Sequence, residues 1–173
     1  YRRALSIQPD YEAAAAGIIS IYKRNGQGER ALRLIEPLAR RWERNLYLHA
    51  LHADVLASLG RYDDARDAAR RALKRDERFV PAMSSLVKIN RLDGKLELAE
   101  SILDQALVIE ADNPDLVFVK GQMLLEQERL AEALAKFRSA VELQPDHAEA
   151  RMALGIRLLA GANYAEALVQ FEQ

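Results

Sequence analysis

Along this chain apolar residues return at spacings of three and four, in short blocks separated by polar turns. Nowhere do they alternate at every second position, as they would in a half-buried strand. Each block therefore predicts an amphipathic helix, and the whole predicts an all-α protein. One stretch sets the pattern: a helix over 81–92, a turn marked by Gly94, and a second helix over 96–109. Glycine suits that turn because it accepts the left-handed dihedrals that end a helix.

The blocks repeat. A shift of 34 residues brings Ala31, Ala65, Ala99, Ala133 and Ala167 into one column, and Gly26, Gly60, Gly94, Glu128 and Ala162 into another. Further columns read Ala4, Leu38, Ala72, Ala106, Ala140 and Tyr1, Ile35, Ala69, Leu103, Phe137, Phe171. No insertion or deletion interrupts the register. The expected organisation is one array: a partial repeat over 1–11, repeats over 12–45, 46–79, 80–113 and 114–147, and a partial repeat over 148–173. Self-similarity at such a period is the signature of stacked helical repeats. The alanines have a physical reason, since antiparallel helices approach closely only where small side chains meet. A larger residue there overpacks the junction at a cost of about 1–3 kcal/mol.

Departures from the columns fall mostly in residues 12–79. Gly28 stands where an aromatic or leucine recurs, and Glu43 where the repeat ends in proline at Pro9 and Pro145. Pro37 lies inside a second helix, where it removes a hydrogen bond and is expected to kink or shorten it. His52 and Lys120 interrupt a column otherwise made of Ile18, Leu86 and Leu154. Trp42, next to the missing proline, is expected to anchor an irregular junction.

The segments LASLGRYDDARDAARRAL (56–73) and LLEQERLAEALAKFRSAVELQPDHAEA (124–150) resemble the tetratricopeptide repeat. Small residues at Gly121 and Gly155, aromatics at Tyr62, Tyr164, Phe137 and Phe171, the alanine column, and Pro9 and Pro145 carry that resemblance across the chain. It implies a right-handed superhelical solenoid of antiparallel helix pairs, whose first helices line a concave groove that holds a protein or peptide partner. Mapped onto this sequence, the groove positions include Tyr47, Leu51, Asp54, Lys88, Arg91, Phe118, Gln122, Leu125, Met152, Ile156 and Leu159. An acidic group is expected near Lys88 and Arg91, and apolar anchors near Phe118, Met152, Ile156 and Leu159. Two ligand modes of the family do not fit. The carboxylate clamp needs lysine and asparagine together, and none of the corresponding sets (Ala16, Ser20, Leu51, Lys88, Leu92; Ala50, Asp54, Ser85, Gln122, Glu126; Ser84, Lys88, Val119, Ile156, Ala160) supplies that constellation. The asparagine ladder is replaced by Gly17, Leu51, Ser85, Val119 and Ala153.

Composition narrows the remaining classes. Half the residues are hydrophobic and the net charge is −1, so nothing in bulk attracts nucleic acid or anionic lipid. No window is long and apolar enough for a membrane span, so no direct insertion of this segment is expected. Cysteine is absent, which leaves bacterial cytoplasm and periplasm or envelope equally open. Arginine outnumbers lysine, and alanine and leucine abound, a bias of the kind GC-rich bacterial genomes impose.

Catalytic chemistry finds no foothold. There is no glycine-rich phosphate loop, no nucleophile motif and no paired catalytic carboxylates, so no enzyme activity and no cofactor are expected. His49 and His52 have a spacing compatible with two metal ligands, but a site needs a third. Packing between helices is the expected role of both. Asp63, Asp64 and Asp67 at a helix start suit its dipole. Arg66, Arg70, Arg71, Lys74 and Arg75 are expected to form a solvated face, with a secondary protein or phosphate contact as the alternative. RNA reading would need base-reading side chains in register, which the groove columns lack.

The first and last residues read as pieces of second helices, so the sequence is expected to be part of a longer array, able to associate end to end. The expected function is a scaffold or adaptor that organises a multiprotein assembly, possible settings including the bacterial envelope. The alternative is a substrate-recruiting array joined to a catalytic domain elsewhere in the protein.

Overall fold

The computed structural model describes Tyr1, Arg3, Ile7, Gln8 and residues 11–172, the Glu172 side chain excepted. Ala4 and Pro9, singled out by the repeat columns, lie outside the described residues, as does Gln173. Among the described residues ten helices are bounded: α1 Glu12–Arg24, α2 Gly28–Arg41, α3 Leu46–Ser58, α4 Tyr62–Leu73, α5 Val80–Leu92, α6 Leu96–Ile109, α7 Pro114–Glu126, α8 Leu130–Leu143, α9 Ala148–Ala160 and α10 Tyr164–Glu172. Among the described residues there is no strand. The chain is an all-α helical-repeat array, and it packs as two compact units, residues 1–102 and 103–173, which divide within α6.

The register of the sequence becomes a register of backbone. Gly26, Gly60, Gly94, Glu128 and Ala162 all have positive φ, at 67°, 74°, 74°, 62° and 61°. The residue after each donates its N–H to a carbonyl five residues back: Gln27 to Tyr22, Arg61 to Leu56, Lys95 to Asn90, Arg129 to Leu124 and Asn163 to Leu158, at 2.8–3.0 Å. This is the Schellman ending, in which one left-handed residue lets the last carbonyls of a helix find donors. It makes each pair of helices turn back in the same way.

Helix starts share a column too. Asn45 accepts from the Leu48 N–H and Asn113 from the Leu116 N–H, each at 3.2 Å. At the next equivalent position His147 does the same with Nδ1, accepting from Ala150 at 3.2 Å. Such caps satisfy N–H groups that the first turn leaves unpaired.

In unit 1, α3 is the central helix, packed against α1, α2, α4 and α5. Its core gathers Ile19, Ile35, Leu48, Val55, Leu56 and Ile89 around the alanines 31, 65, 68 and 69. In unit 2, α7 packs on α8, α8 on α9, and α9 on α10. Its core centres on Leu124, Phe137, Leu154 and Leu158 with Ala133 and Ala167. The five alanines of the first column are at most 1% exposed, which is what the close helix crossings require.

One expectation is narrowed and one is corrected. Pro37 does not shorten its helix: α2 runs 14 residues, as long as α6 and α8. Both Pro37 and Arg33, whose carbonyl loses its donor, are on the exposed side, where water can take the donor's place. Arg66 is not on a solvated face. It is 8% exposed, and its guanidinium meets Asp63 at 2.5 Å and Asp93 at 2.7 Å. Its column is otherwise Leu32, Leu134 and Leu168 beside Glu100, so the position is largely apolar and the arginine needs its two carboxylates.

Candidate partner-binding surfaces

On unit 1 the first-helix positions hold a cluster of charge. Lys23 on α1 lies near both Asp54 on α3 and Lys88 on α5, although the three are far apart in sequence. Burial and the neighbouring Lys88 hold the Lys23 ammonium below its usual pKa, while Asp54 opposes that shift. Asp54 Oδ1 is buried and has no hydrogen-bond partner. Lys88 is exposed and Arg91 is half-buried. The face therefore carries cations held close together, a place where an added anion relieves repulsion. Tyr47, 51% exposed, stands edge-on to Phe79 with ring centroids 5.0 Å apart. Leu51 is half-buried and packs on the unit 1 core.

On unit 2 the surface is apolar. Met152, Ile156 and Leu159 project from one side of α9, at 60%, 45% and 50% exposure. Their spacing of four and three places them on one helical stripe. Phe118 and Leu125 of α7 are half-buried instead and belong to the core that holds Leu154 and Leu158. Phe118 lies 5.7 Å from the ring of Phe137 and 5.2 Å from that of His147, so much of its area is spent inside. Gln122 is half-buried.

A tetratricopeptide-repeat profile matches residues 17–78, 50–115 and 118–173, the span over which the turns and alanines recur. The chain belongs to the tetratricopeptide-repeat (TPR) family. Among proteins it is similar to, human protein O-mannosyl-transferase TMTC1 is 28% identical over 90% of this chain and 18% of its own length. Cellulose synthase operon protein C of Pseudomonas fluorescens is 25% identical over 68% of this chain and 10% of its own. The chain thus spans less than a fifth of either relative. Among solved structures, a thermophilic TPR protein of Thermus thermophilus aligns with a TM-score of 0.75 at 22% identity, over 93% of this chain and 88% of that one. YrrB, described as a TPR protein with an unusual peptide-binding site, aligns at 0.54 and 19% identity, over 99% and 88%.

The histidines of the TPR core have packing roles. His49 and His52 are 5% and 7% exposed. His49 Nε2 lies 3.0 Å from the Glu43 carbonyl, to which it donates as the Nε2–H tautomer. Burial pushes the His52 pKa down to about 4, with Arg71 and His49 assisting and Glu36 opposing. Among the described residues no group of three or more potential ligands comes together for a metal. Among them also, no helix is long and apolar enough to cross a membrane.

Several buried polar residues escaped the sequence reading, the His147 cap among them. Arg66 was legible only through its apolar column. Arg151, 8% exposed, donates to the Pro145 carbonyl and to the Val169 carbonyl at 3.5 Å, tying α9 to the segments on both sides. Its column, Ala15, His49, Met83 and Val117, is buried throughout, which was the available signal. Asn90 is fully buried and donates to the Leu86 carbonyl at 2.8 Å. Trp42, half-buried, packs on the unit 1 core and carries the Arg41 guanidinium 4.7 Å above its ring.

Proposed function

We propose that this TPR array is a non-enzymatic interaction module that holds peptide segments of partner proteins on its first helices. The observation that carries this reading is the stripe of Met152, Ile156 and Leu159, three large apolar side chains left 45–60% exposed on one side of α9. Such a stripe accepts apolar anchors from a partner segment. Phe118, Gln122 and Leu125 on α7 are the further unit 2 positions in this reading. On unit 1 the close cations Lys23 and Lys88, with Arg91, favour an acidic group, and Tyr47, Leu51 and Asp54 complete that face. The fold shared with YrrB supports a peptide ligand. Likeness to cellulose synthase operon protein C supports an assembly role beside polysaccharide synthesis in a bacterial envelope.

Selection of peptides from a displayed random library against the 173-residue chain tests this. Peptides with apolar anchors should bind the parent and lose about tenfold or more in affinity on Met152→Ser/Ile156→Ser, as removal of buried anchors does. Acidic peptides should lose a similar factor on Lys88→Glu. Selected peptides that bind every variant equally would overturn the reading.

A second reading is favoured by the likeness to an O-mannosyl-transferase over 90% of this chain: the array recruits substrates for a catalytic domain elsewhere in the protein. Peptides selected on the chain would then be substrates of that domain in the full-length protein. Self-association is a further part of the proposal, through Leu168, Val169 and Phe171 on α10, each 48–56% exposed. Leu168→Glu should abolish concentration-dependent sedimentation; a parent that stays monomeric at all concentrations would remove this element.

A further inference from the structure

A second recess in unit 1 lies apart from the Lys23–Lys88 face. It is a cleft of about 640 Å³ where the C-terminal turns of α2 and α4 meet the histidine side of α3. Arg40, Arg71, Lys74 and Arg75 line it, with Glu43 as its one carboxylate. Arginine or lysine in the last turn of a helix commonly offsets the dipole's half negative charge, and two such turns end here. That role does not exhaust the charge. Arg40 is already held by Glu36 at 2.6 Å, and Arg75 stands 3.9 Å from Glu43. Among the described residues neither Arg71 nor Lys74 meets a carboxylate at ion-pair distance. Three cations then face one carboxylate and two half-charges, a surplus of about one positive charge.

The floor holds a histidine as well. His52 is one of the lining residues, although its Nδ1 is sealed from the cleft and has no hydrogen-bond partner. Beside that ring, the arginine forks and the ammonium form a phosphoryl-binding set.

We propose that this cleft binds the phosphoryl group of a soluble phosphomonoester, with Arg71, Lys74 and Arg75 as its contacts and the His52 ring beside them. A phosphomonoester carries a charge of about −1.5 to −2 at neutral pH, which answers the cationic surplus. The cleft has the size of sites that take a small metabolite, larger than phosphate alone fills. Ala39 is the one apolar residue in its lining, so recognition centres on the phosphoryl group.

Calorimetric titration of the 173-residue chain with adenosine monophosphate and with inorganic phosphate provides the test. Both should bind saturably, and Arg71→Ala/Lys74→Ala should weaken them about tenfold or more, the effect of losing charge-assisted hydrogen bonds. Arg33→Ala, which removes an exposed cation outside the cleft, should leave affinity within about twofold. In the parent, His52 ring signals should shift on titration, a response that diffuse surface charge does not produce. Saturable binding that Arg33→Ala weakens as much as the double variant, or no saturable binding, overturns the proposal. Flotation with phosphatidylcholine vesicles containing phosphatidic acid separates the sources. Vesicle capture through Arg71 and Lys74, without binding of the soluble esters, would assign the cleft to a lipid headgroup and refute a soluble ligand.

Discussion

Gly121 of α7 lies directly against the ring of Phe137 on α8, so closely that a Cβ added to the glycine would stand 2.6 Å from Phe137 Cε1. One repeat later Gly155 and Phe171 stand in the same relation, again at 2.6 Å. In unit 1 the equivalent pairs are Ile19 with Ile35 and Ala53 with Ala69. The repeat fixes the crossing, and each pair divides the space between its two side chains differently. Phe137 is fully buried and cannot swing away. Gly121→Ala should therefore lower stability by about 1–3 kcal/mol in urea unfolding. Adding Phe137→Leu should cost less in that background than in the parent, because the two changes share one volume. Strict additivity would disprove the close fit.

Glu128 holds the backbone conformation that glycine holds at Gly60, with φ of 62° against 74°. A side chain in that region costs energy that glycine does not pay. Both residues are exposed, and nothing lies within 4 Å of a Cβ at Gly60, so packing does not confuse the comparison. Glu128→Gly should raise stability by about 1 kcal/mol, and Gly60→Ala should lower it by a similar amount. Thermal melts of the two variants read both signs.

What the sequence revealed followed from periodicity. The turn at Gly94, the helices beside it and the buried alanines all repeat, so each column could be read several times over. Exceptions to a column were harder. Arg66 looked like one of a row of surface arginines, because its neighbours Arg70 and Arg71 are exposed and it shares their spacing. Its burial depends on Asp93, which is remote in sequence and has no counterpart in other repeats. Among the groove positions, columns named the face but not how much of each side chain the core consumes. Met152 is mostly exposed, whereas Phe118 leans into Phe137 and His147.

Arg66 links α4 to the turn after α5 through Asp93, whose carboxyl is held below its usual pKa by Lys95 and by Arg66. Replacing Arg66 removes both the ion pairs and the packing of its aliphatic stem. Arg66→Ala should destabilise by about 1–3 kcal/mol, within the range of buried-network losses. Arg70→Ala, at a position where the arginine is 60% exposed and 3.7 Å from Asp67, should stay within about 0.5 kcal/mol. Equal effects at the two sites would show that burial of Arg66 carries no weight.

His52 makes stability depend on pH. Its pKa is about 4 in the folded chain, against 6.5 for an unburied histidine. Between these values the unfolded chain binds a proton that the folded chain excludes, so stability falls as pH drops through the window and is fully retained above it. The full shift corresponds to at most about 3 kcal/mol, less where water reaches the ring edge. Asp93 and Glu132, whose carboxyls are held down by Lys95 with Arg66 and by Arg129 respectively, lose their contributions at lower pH. Urea midpoints measured from pH 7 to pH 4 should therefore decline, and His52→Leu, which removes the titrating ring, should flatten that decline. A parent and a leucine variant with parallel profiles would mean that the buried ring takes up its proton without cost.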